Sequence, residues 1–170
     1  AKSDGRQVAH WFGHIDPKRF AHINKHIGLM YNKAYIGVER NNHGHATLQE
    51  LVEIYPTSRI YTEEHIDRED TDEETRKVGW HTSAQSKPIL TSGLDELLTH
   101  DKDGIVWRGT VNELNTFVYD KKGRMGAQPG GFDDQVMSYA IAQEMRVRMP
   151  KRLIKDNTPA PHNPNHWMAR

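Results

Sequence analysis

Two hydrophobic periods alternate along this chain, and that alternation is what most limits its fold. Residues 7–13 (Val8, Ala9, Trp11, Phe12) have the composition of a strand. Asp16 and Pro17 then suit the N-cap and first position of a helix. Phe20, Ile23, Ile27 and Met30 follow at helical spacing as its buried stripe. Residues 34–38 form a short apolar run that predicts a buried strand leading into Glu39. Residues 46–55 predict a second helix, with Leu48, Leu51, Val52 and Tyr55 on one face, and residues 59–62 a further strand. Strands alternating with helices predict an α/β fold with a mainly parallel sheet and helices on its faces.

The second half continues less regularly. Residues 63–77 are dense in Asp, Glu, Arg and Lys and predict a solvated loop, long enough to invite a functional role. Residues 83–98 return to helical periodicity, with Pro88 acceptable only in the first turn. Residues 105–107 predict a short strand. Thr110 is placed to cap a helix carrying Val111, Leu114, Phe117 and Val118. Residues 121–131 are turn-rich, with an edge strand near Arg124 and Met125, and residues 132–147 predict the last helix. Beyond Pro150 the chain is rich in Pro, Asn and basic residues without periodicity. This gives one domain over 1–149 and a tail over 150–170.

Bulk properties exclude more than they assign. The formal net charge is +0, so a nucleic-acid surface has to be a local patch. The absence of cysteine excludes a disulfide scaffold and a thiolate zinc site, and fits a reducing cytoplasm. No apolar run is long enough to span a bilayer. No GxxxxGK[ST] phosphate loop and no internal repeat occur.

Two stretches carry chemistry. In the first, Glu39 follows the strand at 34–38 and leads through Arg40, Asn41, Asn42, His43 and Gly44 into a helix. Open α/β sheets bind ligands at the carboxyl ends of strands. A strand-end glutamate facing solvent explains it equally well. In the second, Gly130, Gly131 and Phe132 precede the paired Asp133 and Asp134 at the start of an apolar helix. One aspartate there is an ordinary cap. Two adjacent carboxylates repel unless solvated or bound to a cation, and hard cations such as Mg2+ or Mn2+ prefer carboxylate oxygen. Together the stretches point to phosphodiester cleavage by divalent ions, a pair of which sit about 3.5–4 Å apart in two-metal sites.

The run from Tyr31 to Gly44 resembles the central nuclease motif of the large terminase subunits of tailed bacteriophages, and the run from Gly130 to Ala140 resembles their C-terminal acidic motif. Gly79-Trp80-His81-Thr82 with Ser86-Lys87-Pro88, and Asp16-Pro17 with Phe20-Ala21, also fit. The resemblance spans residues 6–149. It implies a ribonuclease H-like mixed sheet flanked by helices, and a metal-dependent endonuclease that cuts concatemeric double-stranded DNA during genome packaging. It implies Glu39, Asp133 and Asp134 as ligands of Mg2+ or Mn2+, two ions in the complete domain. Lys87 would contact a phosphate or orient water, although a surface lysine at a helix start accounts for it equally well. The implied partners are DNA, the terminase ATPase domain, the small terminase subunit and the portal, in the host cytoplasm. The family pattern has a further aspartate on a first strand, upstream of everything seen here. By that pattern the chain begins at the third strand, lacking the first strands, and Asp4 falls in the turn ahead of it rather than replacing that ligand.

Other residues carry competing readings. Arg108, Lys121, Lys122 and Arg124 can form a basic rim for DNA phosphates, or a solvated turn. His22 and His26 have a zinc-compatible spacing, but a solvated helix face suits them better. His43 and His45 flank Gly44 close to Glu39, where they can touch DNA or metal-bound water, but polar residues at a helix start are the commoner explanation. Trp11, Trp80 and Trp107 are expected to pack. Another ribonuclease H-like nuclease, a resolvase or ribonuclease, remains open, as does an inactive fragment that binds DNA or the portal.

Overall fold

The computed structural model of the chain describes residues 4–41, 43–65, 75–100, 102 and 104–150. Its elements, in order, are helices α1 (Pro17–Met30) and α2 (Gly44–Ile54), strands β1 (Thr62–His65) and β2 (Thr75–Val78), helices α3 (Lys87–Thr99) and α4 (Arg108–Leu114), strands β3 (Phe117–Tyr119) and β4 (Met125–Ala127), and helix α5 (Asp134–Arg148). The fold mixes helix and sheet, as an α/β reading requires. The tail expected from 150 onward lies outside the described residues apart from Pro150. No helix among the described residues is long and apolar enough to cross a membrane.

The helices follow the sequence closely, because their signals are local. Asp16 accepts hydrogen bonds from the Lys18 and Arg19 amides at 3.0 and 3.2 Å, so the expected cap is real. Pro17 sits where its missing N–H costs nothing. Asn32 and Lys33, both with φ near +55°, turn the chain out of α1. Gly28 lets α2 come close: a Cβ there would lie 2.7 Å from the Tyr55 hydroxyl, which donates to the Ala34 carbonyl. Ala21, Leu48, Leu51, Tyr55 and Ile60 form the core between α1 and α2. A second core gathers Tyr61, Trp80, Leu90 and Leu94 around α5, which buries Val136, Met137, Tyr139, Ala140, Ile141 and Met145.

The sheet departs from expectation. The strands named above form two antiparallel ribbons, β1 with β2 and β3 with β4. Parallel pairing among the described residues is confined to two bridges, Ile36 with Ile60 and Glu39 with Trp80. Their hydrogen bonds show how the chain is laid out. The Ile36 amide donates to the Arg59 carbonyl and the Tyr61 amide to Ile36; further along, the Trp80 amide donates to Val38 and the Arg40 amide to Trp80, all at 2.8 Å. The extended segment 36–40 is thus flanked first by residues 59–61 and then by 79–80. The Gly79 amide donates to the Tyr61 carbonyl, and the β1–β2 ribbon rises from that point.

Five local expectations are corrected. The charged stretch 63–77 is not wholly a loop, since both its ends lie in the β1–β2 ribbon. A two-stranded ribbon is held by its backbone ladder and needs no apolar run to announce it; residues 66–74 lie outside the described set. Residues 7–13 form an extended strap rather than a strand, and 105–107 are not a strand either. The Gln7 side chain replaces a ladder between them, accepting from the Val106 and Trp107 amides at 2.9 and 3.0 Å. Phe117 and Val118 belong to β3, because α4 ends at Asn115 and the Thr116 hydroxyl closes back on the Glu113 carbonyl. Thr110 lies inside α4 rather than capping it.

Candidate active site

Four residues from three separated stretches line one cleft of about 360 Å3: Glu39, Lys87, Asp133 and Asp134. Glu39 arrives from the end of the parallel-bridged segment 36–40. Lys87 stands at the first turn of α3, where Pro88 starts the helix. Asp133 and Asp134 begin α5. Phe20 and Asn24 of α1 and Met137, Ser138 and Ile141 of α5 wall the cleft. Gly44 is required beside Glu39, since a Cβ there would lie 1.7 Å from the Glu39 carbonyl oxygen.

The polar contacts fix some of these side chains. Asn41 donates through Nδ2 to Glu39 Oε1 at 3.2 Å and to the Thr82 carbonyl at 3.1 Å. His81 Nδ1 lies 3.0 Å from Asn41 Oδ1. Glu39 is therefore held by a chain of polar groups that crosses from the 36–40 segment to residues 81–82. Lys87 Nζ lies 3.2 Å from Asp133 Oδ2, each side chain about one third exposed, and 6.0 Å from the centre of the Phe117 ring. Asp134 is exposed. Three carboxylates with oxygen donors suit a hard cation chemically. They are not drawn together into one ligand set: among the described residues no three His, Asp or Glu side chains form a metal-holding group.

The start of α5 is arranged unusually. Asp133 occupies the N-cap position but makes no side-chain capping bond. Glu113 of α4 takes that role, accepting from the Gln135 amide at 2.7 Å, the Val136 amide at 3.1 Å and Gln135 Nε2 at 2.8 Å. Sequence reasoning assigned no role to Glu113 or Asn41. Asn41 stood two residues from Glu39 in a polar exit from a strand, which was its one available signal. Glu113 had none, since its partners lie 22 and 23 residues away.

The residues expected to form a basic rim lie on two elements. Lys121, Lys122 and Arg124 are all exposed and share the β3–β4 turn, whereas exposed Arg108 opens α4. Arg124 is already engaged: its Nη2 and Nε lie 2.7 and 2.8 Å from Asp120 Oδ2. Asp120 also accepts from the Lys122 and Arg124 amides at 2.8 and 2.9 Å. The hydrogen bonds from Arg124, backbone first and then side chain, hold the Asp120 carboxyl below its ordinary value of 3.8.

The remaining candidates find other partners. Asp4 accepts from the Arg6 amide at 3.0 Å, the turn role expected of it. His22 Nε2 lies 3.3 Å from Glu50 across the α1–α2 contact, and His26 Nδ1 bonds the His22 carbonyl. His43 and His45 are exposed at the start of α2, and His43 makes no side-chain cap bond. Trp80 packs fully, whereas Trp11 and Trp107 are 38% and 48% exposed. Trp107 stacks on His10 at 4.6 Å. Burial lowers the His10 pKa from its usual 6.5, opposed by the nearby Glu113 charge.

No protein-family model matches the chain, and no curated protein matches it.

Proposed function

We propose that this chain is a metal-dependent endonuclease domain with a ribonuclease H-like fold, of the kind found in the large terminase subunit of tailed bacteriophages. The observation that carries the reading is the convergence of Glu39, Lys87, Asp133 and Asp134 on one cleft. These residues come from the stretches that resemble the terminase nuclease motifs, about 50 to 90 positions apart in the chain, yet they share one wall-to-wall space. Glu39, Asp133 and Asp134 are the residues that would hold Mg2+ or Mn2+. The bound ions would activate water and neutralise charge building on the phosphate.

The chain's own groups have distinct tasks on this reading. Asn41 orients Glu39 by donating to Oε1. Lys87 balances the charge of Asp133 and is placed to meet a phosphate oxygen entering the cleft. Lys121, Lys122 and Arg108 supply exposed cations for the flanking backbone of double-stranded DNA. The partners would be DNA, the terminase ATPase domain, the small subunit and the portal, in the host cytoplasm.

The test is nicking of supercoiled plasmid with manganese, comparing the parent chain with Asp133→Asn. The expected result is cutting by the parent and a loss of about 100-fold or more in the variant, on the scale of removing a group that stabilises transition-state charge. Cutting at the parent rate by Asp133→Asn would sink the assignment. Parallel assays on linear duplex, four-way junction and RNA–DNA hybrid separate a terminase nuclease from a resolvase or ribonuclease. A second reading, binding of DNA or the portal without cleavage, is favoured by one contact: the Lys87 ammonium already sits against Asp133 as a cation would.

A further inference from the structure

We propose that Glu113 is a positioning residue for the acidic pair, and that it acts by taking over the helix cap that Asp133 would otherwise form. An N-cap side chain ordinarily accepts from the amides two and three positions on. For Asp133 those are Gln135 and Val136. Both donate instead to Glu113 Oε2, at 2.7 and 3.1 Å. Asp133, relieved of that role, has its carboxylate at Lys87 and the cleft.

The arrangement is built into the packing of α4 on α5. Glu113 is one of the few buried charged side chains, 9% exposed. Its second oxygen accepts from Gln135 Nε2 at 2.8 Å. Gln135 in turn lies so close to α4 that a Cβ on Gly109 would come within 2.2 Å of its Oε1. Gly109 and Glu113, one helical turn apart, thus clamp the side chain at the second position of α5. The same geometry explains how two adjacent aspartates can begin this helix without either being consumed as its cap. Orienting groups behind a metal ligand typically matter by about 10–100-fold in affinity.

The manganese measurement below rests on the cation-site reading; the capping measurement does not. A thermal-unfolding cycle compares Asp133→Ala in the parent and in Glu113→Ala. Once Glu113 is gone, Asp133 swings onto the free amides, so its removal should cost about 3 °C more in Tm there than in the parent. An equal cost in both backgrounds would overturn the proposal. If Glu113→Ala does not fold, amide-proton resonances decide: those of Gln135 and Val136 should move more for Glu113→Gln than for Asp133→Asn, and the reverse order overturns it. Calorimetric titration with manganese should show about tenfold weaker binding by Glu113→Ala, and affinity within about twofold of the parent for Glu113→Gln, which keeps an acceptor oxygen. Equal affinity in all three chains overturns the positioning role. A parent that binds no manganese overturns the cation reading instead, and the unfolding cycle still decides who caps α5.

Discussion

Helices α1 and α5 both begin with an aspartate at the N-cap, and the two ends are closed in opposite ways. Asp16 bonds the amides of its own first turn. Asp133 leaves its amides to Glu113, 20 residues earlier on another helix. The ion pairs repeat the contrast. Asp120 and Arg124 are four residues apart in one turn, whereas Arg40 meets Glu63 at 2.8 Å across the base of the β1–β2 ribbon, with 10% and 24% of the side chains exposed. Local closure stabilises an element by itself. Remote closure ties elements to each other, and it leaves the local residue free for other work.

The sharpest way to break this contrast is at the ribbon base. Glu63→Ala strands the Arg40 guanidinium, whose Nη1 has no hydrogen-bond partner among the described residues, in a buried setting. It should cost about 3 kcal/mol, the usual scale for breaking a buried pair, read by denaturant unfolding. A cost below about 1 kcal/mol would place the pair with exposed ones. Glu113→Ala comes next, at about 2 kcal/mol, because the Gln135 side-chain amide loses its acceptor and Asp133 recovers only part of the capping of the two backbone amides. Asp16→Ala should cost about 1 kcal/mol, with its effect confined to the first turn of α1 by hydrogen exchange. A larger loss for Asp16→Ala than for Glu113→Ala would invert the comparison.

The smallest effect is a pH dependence at the β3–β4 turn. Asp120 has a carboxyl pKa below 3.8 in the folded chain. Its contribution is therefore complete above the unfolded value and lost as the pH falls through the folded one. Acidification from about pH 5 to about pH 2 should lower the parent's stability slightly more than that of Asp120→Asn. Equal slopes would mean that the turn does not depend on this carboxylate.

The same division explains what could be read in the sequence. Helices α1, α2, α3 and α5 were legible because periodicity, Asp16 and the prolines at positions 17 and 88 act within a few residues, whereas the apolar spacing that marks α4 runs on past its end into β3. The ribbon β1–β2 was not, because its ends look like solvated charge. The strap at 7–13 carried strand-like residues, but its amide and side-chain partners lie about 100 positions away, around Gly104 to Thr110. At the site, Glu39, Lys87, Asp133 and Asp134 were singled out through motif resemblance and the oddity of paired carboxylates. Their convergence on one cleft depends on the packing of α5 against the 36–40 segment. Neither composition nor spacing carries that packing, and Glu113 escaped for the same reason.

The excursion between Tyr61 and Gly79 has a consequence for how this architecture can change over evolutionary time. The chain leaves at Tyr61 and returns at Gly79 through an amide–carbonyl contact that the β1–β2 pairing continues, so the bridges at Ile60 and Trp80 are set without reference to how many residues lie beyond the ribbon. Length can be gained or lost there while Glu39 keeps its neighbour, Trp80. The ribbon that rises beside the Glu39–Trp80 bridge is thus also a place where new surface can be added without disturbing the segment that carries Glu39.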